Sequence, residues 1–247
     1  MRRLSRPLDS APQYLVQPFG RVEVVEFSTM EAATVVPRIS RLGLRPFADF
    51  ERKFPTAPRL SNSPLPTLVP ANRVLFWQDD HQRQEIRVVR GVVRAVRLLE
   101  NGTRQILAFY WPGEVIPSAR AEAQFFTAEA VTACHLRWSS APPNVSSTDR
   151  LLQAMLALVL AIGKKSTVPR IAWFLLRIRP HLPADLHRAG AQQLLLPRAD
   201  ISDHLGTSIE TVCRTLHDFQ NKGIIAMPSR KTIRFLDVPG LARIAEH

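Results

Sequence analysis

The sequence predicts an α+β chain: an antiparallel β-domain, then one long helix, then a C-terminal winged helix-turn-helix. Three observations predict it. Four β-prone runs lie between residues 73 and 110 with turn signals between them, and apolar residues recur at spacings of four, three and four from Leu151 to Ile162. Two short helical patterns then meet at Gly206, ahead of a β-prone pair.

Residues 1–66 read as an N-terminal extension, partly flexible, rich in Arg and Pro and ending in the linker-like Ser61-Asn-Ser-Pro-Leu-Pro66. Met30 is a candidate second translation start, and Leu42, Leu44, Phe47 and Phe50 are candidates for a short helix packed on the next domain. Residues 67–146 form the β-domain, with strands expected at Arg73–Trp77, Ile86–Val89, Val92–Leu99 and Arg104–Tyr110. Asn101 and Gly102 both tolerate the positive φ of a tight hairpin turn, and Pro112-Gly113 marks another reversal.

Ala141-Pro-Pro-Asn-Val-Ser-Ser-Thr-Asp149 reads as a linker into a helix over residues 147–167. There Leu151, Met155, Leu158 and Ile162 form a coiled-coil seam of about two heptads, the signature of a dimerisation helix. The alternative is a helix that buries this stripe inside its own chain.

Residues 168–247 form the last domain, whose first helix contains Arg170-Ile-Ala-Trp-Phe-Leu-Leu-Arg177. Pro197 suits the first position of the next helix, Asp200 suits its positive end, and Ile201 and Leu205 supply its buried stripe. Gly206 can close that helix with a positive φ, and Thr207 and Ser208 are candidate caps for the one that follows. In that second helix Ile209, Val212, Leu216 and Phe219 share one face, while Glu210, Arg214, His217 and Asn221 share the other. A guanidinium there can grip O6 and N7 of guanine, and a carboxylate one turn earlier can accept from a cytosine amino group, so the pair can read one G·C step. The bland alternative is an i, i+4 surface ion pair worth a few tenths of a kcal/mol. Beyond Gly223, two β-prone runs flank Pro228-Ser-Arg-Lys231, a wing hairpin whose Arg230 and Lys231 can meet phosphates.

Ile209-Glu-Thr-Val-Cys-Arg-Thr-Leu216 resembles the recognition helix of the Crp/Fnr superfamily of bacterial transcription regulators, in particular its FixK- and Fnr-like branch, where the usual pattern is Thr-x-Glu-Thr-Val-Ser-Arg. Glu210 and Arg214 fall on that family's base-contacting pair, and Cys213 stands where the family usually has Ser. Upstream, Gly91-Val-Val-Arg, Asn101-Gly-Thr-Arg-Gln, Trp111-Pro-Gly-Glu-Val115 and Phe126-Thr-Ala-Glu-Ala-Val-Thr-Ala-Cys134 resemble the superfamily's cyclic-nucleotide-binding-like β jelly roll. The resemblance implies a homodimer on double-stranded DNA, at a palindrome of the TTGA…TCAA type, with RNA polymerase as a further partner of an activator. The expected DNA-contacting residues are Thr207, Ser208, Glu210, Thr211, Cys213, Arg214, His217, Arg230 and Lys231; the expected dimer residues are Leu151, Met155, Leu158 and Ile162.

Composition fits a polyanionic partner: 33 Lys plus Arg against 21 Asp plus Glu give +12. The surplus is spread, since residues 168–247 hold 11 basic against 7 acidic residues, a net of only +4. Two distant cysteines, Cys134 and Cys213, argue for a reducing cytoplasmic setting and against a disulfide framework or structural zinc. The longest apolar run, Leu151 to Ile162, is too short to span a bilayer, and no signal-peptide pattern follows the basic start.

The sequence marks no cofactor. Nucleotide-binding relatives hold the cyclic phosphate with Arg-Ser or Arg-Thr shortly before the strand matched by Ala130 to Cys134; here that position is Gln124-Phe125, and Arg120 is out of register. An iron–sulfur cluster needs more thiolates than two cysteines supply. Haem ligation would fall to histidines such as His81 or His135, which are more often structural or exposed. Cys134 reads as a small core residue. Cys213 carries two readings, a Ser-sized packing contact or a thiol whose oxidation would block DNA. No nucleophile motif, phosphate loop or metal-ligand set indicates an enzyme. The competing reading is an effector-binding barrel that acts through a protein partner and carries a degenerate DNA-binding face.

Overall fold

The structure, a computed structural model, describes residues 65–81, 84–117, 123–139 and 145–246. Expectations about Met30, Leu42, Leu44, Phe47, Phe50 and Arg120 lie outside the described residues. Among those described, the β-domain has eight strands: β1 (Thr67–Val69), β2 (Val74–Phe76), β3 (Glu85–Arg90), β4 (Val93–Leu98), β5 (Arg104–Tyr110), β6 (Val115–Ile116), β7 (Thr127–Ala130) and β8 (Cys134–Ser139). They form two four-stranded sheets, β1-β8-β3-β6 and β2-β7-β4-β5, with every pair antiparallel. Ile86, Val88, Val93, Ala95, Ala128 and Leu136 face inward between them.

The turns explain the strand ends. Trp111-Pro-Gly-Glu closes with a Glu114 N–H to Trp111 carbonyl bond of 3.0 Å, with Gly113 at φ 92°, a conformation open to glycine at little cost. The β4–β5 hairpin departs from expectation. Only Gly102 has positive φ, and Asn101 instead accepts the Thr103 N–H through Oδ1 at 3.0 Å, so a five-residue loop replaces the two-residue turn. Gly91 is required by close approach: a Cβ there would stand 2.5 Å from the Ala133 carbonyl oxygen. Cys134 is fully buried, as expected of a small core residue, and burial pushes its thiol pKa up.

Helix α1 (Val145–Lys164) follows, then α2 (Thr167–Ile178), a 3-10 turn (Arg179–His181) and the short strand β9 (Gln192–Gln193). The helix-turn-helix pair is α3 (Arg198–Leu205) and α4 (Ile209–Asn221), with the wing β10 (Ile225–Ser229) and β11 (Thr232–Phe235) and a closing helix α5 (Val238–Glu246).

On α1 the four expected seam residues divide. Leu151 and Met155 pack on the β-domain core, and Leu158, only 5% exposed, joins the core of the C-terminal domain. Of the four expected residues only Ile162 is open. The uncovered stripe lies one residue further round: Leu152 (56% exposed), Leu156 (53%) and Val159 (63%), again at spacings of four and three. The intramolecular alternative therefore describes Leu151, Met155 and Leu158, and a second apolar face stands free beside them.

The two domains share a built contact. Val92, Trp111 and Val131 of the β-domain join the core around α2 to α5, and the Phe109 ring lies 6.1 Å from Phe174 and 5.2 Å from His204. His204 Nδ1 is 2.9 Å from the Ile106 carbonyl oxygen, which can only accept, so Nδ1 carries the proton. Burial lowers this imidazole from 6.5 to about 4; the Ile106 bond opposes the shift and Arg177 adds to it.

A pH dependence follows. A histidine held neutral in the fold contributes fully above its unfolded pKa near 6.5 and loses that contribution as pH falls toward 4. The loss amounts to about 3 kcal/mol over this window. Urea unfolding of the wild type should therefore weaken more steeply across it than that of His204→Asn, whose amide can still donate to Ile106. Parallel pH curves would contradict the assignment.

Candidate nucleic-acid interface

The reading surface is built by the turn between α3 and α4. Pro197, at φ −59° and ψ 149°, precedes α3 as its N-cap rather than occupying its first turn. Gly206 closes α3 at φ 62° and ψ 48°, the left-handed conformation expected of it. Ser208 then caps α4 from an extended backbone, its Oγ accepting the Thr211 N–H at 3.1 Å, so of the two candidate caps Ser208 serves and Thr207 does not. The resulting turn is short, three residues between the last residue of α3 and the first of α4.

Val212, Thr215, Leu216 and Phe219 of α4 are buried, and each large apolar side chain contributes roughly 1.5–3 kcal/mol by leaving water. Ile209 departs from expectation: it is 45% exposed, because it sits at the first turn and at the edge of the apolar face. Glu210, Cys213, Arg214, His217 and Asn221 are exposed on the opposite face. No ion pair joins Glu210 to Arg214 in this structure. The free backbone N–H at the helix start and the Ser208 hydroxyl hold the Glu210 carboxyl below its usual range, so it is an anionic acceptor. Arg214 is left as an exposed donor one turn away.

The wing stands beside this helix. Ser229 pairs with Thr232, leaving Arg230 and Lys231 exposed at the tip of the hairpin, as the turn chemistry suggested. Two supports were not legible in sequence. Strand β9 adds a third strand to β11, and Asp185 Oδ2 accepts the Thr232 hydroxyl at 2.9 Å. Arg198 is the other: from the first turn of α3 its Nη2 reaches Met227 Sδ at 3.3 Å and the Arg230 carbonyl at 3.4 Å. It thereby ties the wing tip to the helix-turn-helix.

At Gln124-Phe125, where the resemblance implied a phosphate-binding pair in nucleotide-binding relatives, Gln124 is buried and its backbone is engaged on both sides, donating to Asp80 at 2.8 Å and accepting from Asp79 at 2.7 Å. Phe125 turns outward, with the Arg97 guanidinium 4.8 Å over its ring. Neither residue offers a cation and hydroxyl to a cyclic phosphate. Among the described residues no group of three or more His, Cys, Asp or Glu is arranged to hold a metal, and no helix is long and apolar enough to cross a membrane.

Comparison with known proteins agrees with this geometry. A family model for the Crp-like helix-turn-helix domain matches residues 169–244. The chain is 32% identical over 194 residues to the nitrogen fixation regulation protein FixK of Azorhizobium caulinodans, covering 72% of this chain and 78% of that protein. It is also 32% identical over 170 residues to FixK of Rhizobium meliloti, covering 65% and 78% respectively. Among solved structures, FixK2 from Bradyrhizobium japonicum superposes with a TM-score of 0.63 at 26% identity, over 73% of this chain and 97% of that one.

Proposed function

Because the chain belongs to the Crp/Fnr family of DNA-binding transcription regulators, in its FixK branch, we propose that it binds a TTGA…TCAA-type palindrome as a homodimer and does so without a cyclic nucleotide. The observation that carries the reading is the exposed face of α4, where Glu210 and Arg214 stand one turn apart with neither engaged in an ion pair among the described residues. Arg214 is the donor to guanine and Glu210 the acceptor from cytosine, while Thr207, Ser208, Thr211, Cys213 and His217 border the same surface and Arg230 and Lys231 take phosphates.

The dimer uses the free stripe of α1, Leu152, Leu156 and Val159, rather than the inward-facing Leu151, Met155 and Leu158. A two-fold protein suits half-sites about one helical turn apart. Gln124-Phe125 supports action without nucleotide, since neither side chain supplies the cation or the hydroxyl of the Arg-Ser or Arg-Thr pair that it replaces. The setting is cytoplasmic, and RNA polymerase is the further partner where the protein activates. Selection from a pool of random duplexes tests this: it should enrich a two-fold repeated sequence with TTGA half-sites, and recovery of no shared sequence would remove the proposal.

Cys213 belongs to this surface as an exposed thiol, which favours the redox reading over a packing contact. Peroxide converts a thiolate to sulfenic acid with release of water or hydroxide, adding bulk against DNA. Wild-type protein should lose operator binding under peroxide while Cys213→Ser retains it. Equal sensitivity of the two proteins would end the redox reading.

A further inference from the structure

The contact between the domains contains a buried charge cluster whose placement serves no part of DNA contact. Asp200, in the first turn of α3, is 1% exposed, and two arginines from the outer face of the β4–β5 hairpin converge on it. Arg94 Nη1 reaches Asp200 Oδ2 at 2.5 Å, and Arg104 Nη2 reaches Oδ1 at 3.0 Å. Each arginine keeps a second carboxylate, Glu129 at 2.9 Å for Arg94 and Asp203 at 2.6 Å for Arg104. Two further bonds join the same helix to the same hairpin: Gln105 Nε2 to the His204 carbonyl at 3.1 Å, and His204 Nδ1 to the Ile106 carbonyl at 2.9 Å.

The physical roles divide. The apolar contact of Val92, Trp111, Val131 and Phe109 with the neighbouring core supplies adhesion, but burial of apolar area is non-directional and tolerates sliding. A buried carboxylate gripped by two guanidinium groups tolerates one registration, because any slip strands a desolvated charge. The cluster does not cover the reading face, since Glu210, Arg214 and His217 are exposed while it is closed. It can therefore act on DNA binding only through placement, and α3 passes that placement to α4 across the Gly206–Ser208 turn.

We propose that Asp200, with Arg94 and Arg104, is a positioning residue: it sets the angle of the helix-turn-helix on the β-domain and thereby the half-site spacing that the dimer accepts. This rests on the palindrome-binding dimer proposed above. Loss of the clamp leaves each recognition helix able to read its half-site, but the second half-site is met at lower effective concentration.

Asp200→Asn tests it, being nearly isosteric and leaving the Arg94–Glu129 and Arg104–Asp203 pairs in place. Affinity is measured for a single half-site, for the palindrome at the spacing the wild type prefers, and for palindromes one or two base pairs longer or shorter. Half-site affinity should stay within about twofold of wild type while palindrome affinity falls about tenfold and the spacing preference flattens. Asp200→Glu should restore part of that preference. A parallel loss on half-site and palindrome, or no change in spacing preference, overturns the proposal. Hydrogen exchange of the free protein reads the clamp without DNA: Asp200→Asn should speed exchange in residues 198–205 and in β4 and β5, and unchanged exchange there also overturns it. Failure of the palindrome reading is distinguishable, because it would show in the wild type as equal binding to every duplex.

Discussion

Leu156→Glu should leave a folded monomer whose affinity for the palindromic duplex has fallen by at least about 100-fold. Leu152, Leu156 and Val159 form a free apolar stripe on α1, each more than half exposed in the single chain. Covering such side chains contributes roughly 1.5–3 kcal/mol each, and a two-fold axis counts every one twice. In the proposed dimer a glutamate at Leu156 removes two of those contributions and brings two carboxylates into the shared apolar face. Sedimentation should show the monomer, and urea unfolding at fixed concentration should show the single chain intact. The face assignment is checked by Leu158→Glu, which places a charge in the core of the DNA-binding region and should prevent folding instead. A Leu156→Glu protein that remains dimeric would contradict the assignment.

Arg214→Ala should cost about 1–3 kcal/mol on the preferred duplex and much less on random DNA. Its guanidinium is exposed one turn from Glu210 and, among the described residues, enters no ion pair, so truncation removes no described salt bridge and the loss on the preferred duplex reports on the proposed base contact. Arg230→Ala and Lys231→Ala should behave differently. As phosphate contacts at the wing tip they should weaken both duplexes alike, each reducing the salt-dependence slope by about one. Titrations at two or more salt concentrations separate the two kinds of residue. Equal losses on both duplexes for Arg214→Ala would make it a phosphate contact.

What could be read from the sequence was local. Gly206 and Ser208 lie within the turn they shape, so the helix break and its cap were legible from neighbours alone, as was the wing tip at Arg230-Lys231. The face of α1 was not. Leu151 and Leu152, Met155 and Leu156, Leu158 and Val159 form two apolar stripes one residue apart, and periodicity cannot choose which of two such stripes turns inward. That choice depends on the β-domain and α2, which meet the helix only in three dimensions.

Asp200 shows the same limit in its charge. A carboxylate in a first helical turn is satisfactorily explained by the helix dipole, and nothing nearby in sequence announces Arg94 and Arg104, which lie 106 and 96 residues upstream. Strand β9 is only two residues long, below any length at which alternation is visible. The Asn-Gly pair suggests a shared positive φ for Asn101, whereas its side chain satisfies the backbone of Thr103 and leaves the positive φ to Gly102.

The measurement that tests the account most directly is a titration of the reduced protein with a TTGA…TCAA duplex and with a scrambled duplex, at one fixed salt concentration, first without nucleotide and then with cyclic AMP. The account predicts selective binding to the palindrome in the absence of nucleotide, unchanged when cyclic AMP is added. Selectivity that arises only with cyclic AMP would contradict the reading of Gln124 and Phe125, and equal binding to both duplexes would contradict the reading of Glu210 and Arg214.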